Sequence, residues 1–157
     1  MIEGSDLINL FNDYSNMVYR LAYSYLRNAH DAEDVVQVVF MKLIEGKATI
    51  IPDKERALLI QITINYCKDI LRSFWKKQNE PLDENLVFEE KSDSELFNVV
   101  MSLPVKYRIV VYLHYYEGYT FFEISTFLKI SSSAVSMRLH RARKILKIKL
   151  GGDGDES

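Results

Sequence analysis

The stretch "TFFEISTFLKISSSAVSMRLHRARKIL", Thr120 to Leu146, decides the fold of the second half of this chain. Thr120 and Glu123 have the spacing of a capping box, in which the hydroxyl accepts a backbone N–H and the carboxylate reaches back to the cap. A short helix is therefore predicted from Phe121, and a tight turn at Lys129–Ser131 leads to a longer helix that serines initiate. This order is typical of a helix-turn-helix, whose second helix enters the major groove of DNA.

The longer helix has one narrow apolar stripe. At ~100° per residue, this stripe consists of Val135, Leu139, Ala142 and Leu146, and we expect it to pack on the rest of its domain. The other positions on its first turns are polar, small or basic, and the segment from 130 to 150 contains six Lys or Arg residues and no acid. A basic amphipathic helix with a solvated face is the plain alternative to a DNA-binding helix.

Position along this helix divides the predicted DNA contacts into two groups. Side chains of the N-terminal half that point away from the stripe are placed to read base edges; they are Ser132, Ser133, Ser136, Met137, His140 and Arg141. The cations on the remaining positions suit phosphates, which set affinity and register rather than sequence choice; they are Arg138, Arg143, Lys144 and Lys147.

Composition excludes several other classes of function. The chain has 157 residues, of which 48% are apolar and 27% charged, as in a folded globular protein, and its formal net charge is −2. A single cysteine, Cys67, fits a reducing cytoplasm, and no apolar run approaches the ~20 residues of a membrane span. The histidines lack metal-ligand spacing, and neither a nucleophile–base set nor a glycine-rich phosphate loop is visible. We therefore expect a cytoplasmic protein that is not an enzyme and has no cofactor, metal or membrane insertion.

Helical periodicity runs through the whole chain and predicts an all-α protein. Helices are expected at about 5–28, 30–45, 54–77, 93–102, 105–117, 121–128 and 132–149. Seven acids against one lysine lie between Glu80 and Glu95, which indicates an acidic linker. The predicted organisation is a first domain at 1–77, the linker at 78–95, a second domain at 96–150 and a disordered tail at 151–157.

The third predicted helix divides into two arcs. The apolar arc, expected to face the core, consists of Leu59, Ile60, Ile62, Tyr66, Cys67, Ile70 and Phe74. The polar arc consists of Gln61, Asn65, Lys68, Asp69, Arg72 and Lys76. Three cations and an asparagine on one strip suit a DNA backbone and one or two exposed bases, although an ordinary solvated face has the same composition.

The segment Leu103–Leu146 resembles the fourth conserved region of bacterial RNA polymerase sigma factors of the extracytoplasmic-function (ECF) type. The matching residues are Leu103-Pro104, Arg108, Tyr116-Glu117-Gly118, Glu123-Ile124, Val135, Arg138-Leu139 and Arg141-Ala142-Arg143. This resemblance implies recognition of the promoter −35 element. Several positions depart from the family pattern: Lys129 stands where the turn commonly has glycine and Ser136 where a cation is common, and the short helix has Phe121 and Phe122 where the family has small or polar residues and Ser125 where it usually has alanine.

An earlier segment, Asp31-Ala32-Glu33-Asp34-Val35-Val36-Gln37-Val38-Val39-Phe40, is similar to the second region of the same family. In that family this helix docks on the coiled coil of the polymerase β′ subunit, which implies contacts from Asp31, Glu33, Asp34, Gln37 and Phe40. The acids also suit a helix N-terminus for a purely structural reason, because they complement its dipole. Val38 departs from the family, which usually has an acid after the glutamine.

Taken together, the resemblance implies a sigma factor that binds core RNA polymerase through the β′ coiled coil and the β flap and directs promoter-specific initiation. The third helix would bind and open the −10 element with Gln61, Asn65, Lys68, Arg72 and Lys76, and the loop at 47–54 would capture a flipped base. The acidic linker would run near the active-site cleft. Many such factors are held by an anti-sigma partner. A stand-alone helix-turn-helix regulator is the alternative, but it leaves the 31–40 motif unexplained.

Overall fold

The computed structural model describes residues 4–46, 50–78 and 94–151, without the side chains of Ser5, Trp75, Lys77 and Gln78. Residues 79–93 of the predicted acidic linker at 78–95 and the tail beyond Gly151 lie outside these residues, as do the first three positions of the predicted base-capturing loop. The chain divides into an N-terminal unit, Met1–Leu82, and a C-terminal unit, Asp83–Ser157. In the described ranges every regular element is helical, which confirms the all-α prediction.

The N-terminal unit consists of three helices, α1 at Gly4–Leu26, α2 at Ala29–Ile44 and α3 at Glu55–Gln78. Their ends lie within about two residues of the predicted ones. Asn28 caps α2, because its side-chain oxygen accepts the Asp31 N–H at 2.8 Å. Gly46 follows α2 with φ +72°, a left-handed conformation that glycine adopts without steric cost.

The core of the N-terminal unit is a seam of side chains where the three helices meet. The completely or almost completely buried members are Val18, Leu21 and Ala22 of α1, Val35, Val39 and Leu43 of α2, and Leu59, Ile60, Ile64 and Cys67 of α3. At about 25 cal/mol per Å² of apolar surface, this burial is the main stabilising contribution to the unit. The seam leaves the outer faces of α2 and α3 available for partners.

The apolar arc predicted for α3 is partly wrong. The buried side of α3 includes Thr63, Ile64 and Leu71, whereas Phe74 is 44% exposed. Thr63 belongs there because its hydroxyl donates to the Leu59 carbonyl at 2.7 Å, which satisfies the polar group inside the core. Ile62, Tyr66 and Ile70 are only half-buried. The true stripe is therefore rotated towards Ile64, and an apolar edge remains between the core and the polar strip.

Cys67 is expected to be inert to thiol reagents while the N-terminal unit stays folded. Burial raises the pKa of its thiol to about 12, so the reactive thiolate is strongly disfavoured. The folded state prefers the protonated thiol. This group therefore favours folding at pH values below the ordinary thiol pKa of about 8.5. Its contribution to stability is lost as the pH rises towards 12. Ellman's reagent at pH 8 should react only at the rate of unfolding, and Cys67→Ala gives the blank. Labelling as fast as in denaturant would contradict this expectation.

The C-terminal unit contains α4 at Glu95–Met101, α5 at Val105–Val111, α6 at Phe121–Leu128 and α7 at Ser132–Lys149. Ser94 caps α4 by accepting the Phe97 N–H at 3.1 Å, so this helix begins two residues later than predicted. The predicted helix 105–117 does not stay α-helical, because residues Tyr112–Tyr116 form a π-helical turn. Gly118, with φ +77°, then lets the chain leave the helix.

The apolar stripe of α7 is confirmed as the side that packs on the domain. Val135, Leu139 and Ala142 are completely buried, and Leu146 is half-buried near the end of the helix. The buried side chains in the rest of this unit include Leu103, Ile109, Val110, Leu113, Ile124 and Leu128, and α5 and α6 both contact α7. Arg108 of α5 is also buried, at 3% exposure, and donates to the Leu103 carbonyl at 2.6 Å.

Lys129→Gly is expected to stabilise the C-terminal unit by about 0.5–1 kcal/mol. Lys129 has φ +61° and ψ +44°, where a Cβ crowds the following carbonyl, and its side chain is exposed. Glycine relieves that strain, although it loses more chain entropy on folding. Urea titrations followed by circular dichroism test this, with Thr126→Gly inside α6 as the control that should lose about 0.3–0.5 kcal/mol. A lower stability of Lys129→Gly would contradict the expectation.

Candidate nucleic-acid and polymerase-binding surfaces

The helix-turn-helix begins with the predicted capping box. The Thr120 N–H donates to Glu123 Oε1 at 2.9 Å, and the Glu123 N–H donates to Thr120 Oγ1 at 3.1 Å. After the turn, Ser131 caps α7 by accepting the Ala134 N–H at 3.0 Å. Buried Ile124 and Leu128 of α6 and Val135 of α7 complete the apolar inside of this motif. The local bonds therefore fix where α7 begins and which side of it stays outside.

The outer side of α7 carries the predicted DNA contacts. Arg138 and Lys147 are half-buried, and the other eight are exposed, namely Ser132, Ser133, Ser136, Met137, His140, Arg141, Arg143 and Lys144. Met137 is 53% exposed, which is unusual for a large apolar side chain on a basic face. Because this stretch of sequence lacks acids, the face has a single sign of charge, as phosphate binding requires. One contact was not predicted: Arg143 Nη1 donates to Tyr115 Oη at 2.7 Å.

The predicted polar strip lies on the outer side of α3. Asn65, Asp69, Arg72 and Lys76 are exposed, and Gln61 and Lys68 are half-buried. Gln61 Nε2 donates to Asn65 Oδ1 at 3.1 Å, and Arg72 forms an ion pair with Asp69. These bonds hold an amide pair near the middle of the helix. The Asp69 carboxylate also lowers the net positive charge of the strip, because it offsets one of its cations.

On α2 the structure separates the five predicted polymerase contacts into two groups. Asp31, Glu33, Asp34 and Gln37 are exposed on the outer face, whereas Phe40 is 5% exposed. The Phe40 ring packs edge-on against Phe11 of α1, with 5.1 Å between ring centroids. The Phe11 contact places the Phe40 ring on the side of α2 that turns towards α1, apart from the four exposed residues. Its role as a polymerase contact stays a prediction.

An apolar groove between α1 and α2 was missed by the sequence analysis. It has a volume of about 400 Å³ and is lined by Leu7, Ile8, Phe11, Gln37, Phe40, Met41 and Ile44. Ile8, Phe11, Met41 and Ile44 are each more than 40% exposed. The one signal of this groove in the sequence is an excess of apolar residues at the start of α1. The core formed by the three helices does not extend far enough along α1 to cover them. The groove lies directly beside Gln37, so the polar face of α2 continues into an apolar surface.

Two further classes of site are not found in the described residues. No three His, Cys, Asp or Glu side chains are grouped closely enough there to hold a metal ion. Among the same residues, no helix combines the length and the apolar character that crossing a membrane needs.

Comparisons with known proteins agree with this arrangement. The family model for sigma-70 region 2 matches residues 10–77, and the model for sigma-70 region 4 matches residues 94–146. The chain is 29% identical to the RNA polymerase sigma factor SigV of Bacillus subtilis, over 92% of this chain and 90% of that protein. It is 27% identical to the ECF RNA polymerase sigma factor SigW of the same organism, over 93% and 88%.

Solved structures give the same fold. The sigma factor RpoE of Bartonella quintana, solved with the anti-sigma factor NepR, superposes with a TM-score of 0.75 at 16% identity, over 95% of this chain and 99% of that one. CnrH, solved with the cytosolic domain of CnrY, gives 0.66 at 22% identity, over 97% and 92%. The two family matches, in this order and on these two helical units, show that the chain is an RNA polymerase sigma factor of the sigma-70 family and of the extracytoplasmic-function type.

Proposed function

We propose that this sigma factor divides its work among the three outer faces, with α7 on the −35 element, α3 on the −10 element and α2 on core polymerase. The observation that carries this proposal is the outer side of α7, where exposed cations and small polar side chains follow a capped helix-turn-helix. The protein would act in the cytoplasm as an initiation factor, leaving the chemistry of RNA synthesis to the polymerase.

On α7 the expected roles follow the position of each side chain. Ser132, Ser133 and Ser136 lie in the first turns, where a helix end approaches the floor of the major groove. Met137 offers an apolar surface suited to a thymine methyl group, and Arg141 can bond a guanine through two parallel N–H groups. Arg138, Arg143 and Lys144 are placed for phosphates, which supply affinity that falls with salt.

On α3 the Gln61–Asn65 amide pair is proposed to contact bases of the −10 element, because amides both donate and accept. Lys68, Arg72 and Lys76 would follow the DNA backbone along the same side of the helix. The Arg72–Asp69 ion pair fixes the direction of that guanidinium while leaving other N–H donors for phosphate.

Transcription by the reconstituted holoenzyme tests the whole proposal. Mapping transcription starts after overexpression gives a promoter, and run-off transcription then compares core polymerase with and without the full chain. We expect start-site-specific transcripts only with the chain, and a loss when either the −35 or the −10 element is scrambled. A chain that binds the promoter tightly without polymerase and does not stimulate run-off transcription would favour the stand-alone regulator instead.

Gln37→Ala is expected to weaken binding to core polymerase about 3- to 10-fold, the effect of one lost interfacial hydrogen bond. Gln37 is exposed at the border between the acidic start of α2 and the apolar groove, so its amide can bond a partner helix. Competition against a labelled sigma factor for limiting core polymerase measures the change. Asn16→Ala, an exposed amide on α1 that does not line the groove, is the matched control. Equal affinities for both variants would remove Gln37 from the contact surface.

An anti-sigma partner is proposed for this chain as a second point. One structural neighbour, RpoE, was solved with the anti-sigma factor NepR, and the other, CnrH, was solved with the cytosolic domain of CnrY. Exposed apolar side chains beside the polymerase face of α2 support a partner that covers this surface when polymerase is absent. The test is whether a protein that co-purifies with the chain blocks run-off transcription and is released by excess core polymerase. Failure to compete with polymerase would contradict this point.

A further inference from the structure

We infer that Tyr115 is a positioning residue for Arg143, and that it orients this guanidinium towards a phosphate of the −35 element. The inference rests on the proposed function of α7. Its starting point is the 2.7 Å hydrogen bond that Arg143 Nη1 donates to Tyr115 Oη across 28 residues of sequence. This bond ties a cation of α7 to the element that follows α5.

The π-helical turn sets the position of Tyr115. The Glu117 N–H donates to the Tyr112 carbonyl at 3.1 Å, five residues earlier, so the turn accommodates one residue more than an α-helical turn. The rings of Tyr112 and Tyr116 stack within it at 5.8 Å between centroids, and the Tyr112 hydroxyl donates to the Glu117 carboxylate. Contacts between residues at the two ends of the turn therefore stabilise it.

A second set of contacts fixes the ring of Tyr115 itself. The His114 ring packs edge-on against it at 4.8 Å and also contacts the Phe121 ring at 5.1 Å. His114 Nδ1 lies 2.8 Å from the Tyr119 carbonyl, which can only accept, so this nitrogen carries the proton. The start of α6 is therefore connected through His114 to Tyr115 and then to Arg143.

This arrangement leaves Arg143 available to bind DNA and lowers the conformational entropy that its side chain loses on binding. A guanidinium has five N–H donors in a planar fork, and the Tyr115 hydroxyl takes one of them. Both side chains are exposed, with Tyr115 at 53%, so the remaining donors can reach a phosphate. An arginine that is already held in place loses less rotamer freedom on binding than a free one.

A double-mutant cycle on the full chain with core polymerase tests the inference. Tyr115→Phe removes only the hydroxyl, and we expect it to weaken binding to the mapped promoter about 2- to 10-fold. In an Arg143→Ala background the same change should have no effect. Arg143→Ala alone should also reduce the dependence of log affinity on log salt by about one unit, as for one lost phosphate contact. Tyr116→Phe is the matched control, since this exposed tyrosine lies in the same turn and stacks on Tyr112.

The outcomes separate this inference from the proposed function. If Arg143→Ala weakens binding and Tyr115→Phe does not, Arg143 contacts DNA and the positioning role is overturned. Equal losses from Tyr115→Phe in both backgrounds also overturn it, because the hydroxyl then acts without Arg143. If Arg143→Ala is silent while Arg141→Ala is not, the inference fails and recognition of −35 by α7 stands. Circular dichroism melts of each variant show whether folding is retained, and Tyr115→Phe should match Tyr116→Phe.

Discussion

Arg108→Ala is expected to lower the free energy of opening of the C-terminal unit by about 2–4 kcal/mol, from a lost charged hydrogen bond and a cavity. Arg108 is 3% exposed, and its guanidinium donates to the Leu103 carbonyl at 2.6 Å. That carbonyl lies at the junction of α4 and α5. The next residue, Pro104, has no N–H group that could donate a hydrogen bond. Without Arg108 the junction has an unsatisfied buried acceptor, and the inner side of α5 has a cavity.

Native-state hydrogen exchange measures this effect in the full chain, because it reports opening of each unit separately. The amides of Leu139 and Ala142 in α7 report on the C-terminal unit, and those of Ile60 and Ile64 in α3 serve as the internal reference. Lys106→Ala, an exposed cation on the same helix, is the control and should change opening by less than about 0.5 kcal/mol. Arg108→Met keeps most of the volume and so separates the cavity from the hydrogen bond. Unchanged exchange in Arg108→Ala would show that the bond contributes nothing.

Arg141→Ala is expected to weaken −35-dependent promoter binding by about 1–3 kcal/mol, a factor of roughly 5 to 150, if the guanidinium bonds a base edge. Arg141 is exposed on the side of α7 away from its buried stripe, nearly three turns from the N-cap. Its removal should leave folding intact, because it contributes nothing to the core. The reduction is expected on a promoter with an intact −35 element and not on one whose −35 element is scrambled.

Arg141→Lys distinguishes base reading from phosphate binding. Lysine keeps the charge but lacks the planar fork that bonds guanine O6 and N7 together. We therefore expect Arg141→Lys to keep the salt dependence of the wild type and to lose discrimination among −35 variants. Full discrimination by Arg141→Lys would place Arg141 on a phosphate, and wild-type binding by a folded Arg141→Ala would remove it from the site.

The helix-turn-helix could be predicted closely because its signals are local. Thr120, Glu123 and Ser131 form their capping bonds with residues three positions away, so spacing alone locates the helix starts. The apolar stripe on α7 also follows from helical periodicity, because one side of the helix packs on the domain and the other side does not. The expected exposure of Arg141 and its neighbours follows directly from that stripe.

Other features depend on side-chain contacts that could not be derived from the period of the sequence alone. The π-helical turn requires the Tyr112–Glu117 contact, and the sequence from 105 to 117 fits an ordinary α-helix equally well. On α3, Thr63 belongs to neither predicted arc, and it can be buried because its hydroxyl donates to the Leu59 carbonyl. Phe40 is buried because its ring packs on Phe11 of α1. The Phe40–Phe11 contact joins two helices, whereas the Thr63 and Tyr112 bonds lie within one element and are not revealed by the period of the sequence.

The burial of Cys67 has a practical consequence for mapping these surfaces. It is the single cysteine in the chain, and the core around it suppresses its thiolate. A cysteine introduced at exposed Glu33, Asn65 or Ser136 would then be the one reactive thiol of an otherwise natural protein. Crosslinkers or spin labels could thus report from the proposed polymerase, −10 and −35 faces in turn, with no need to remove the native sulfur.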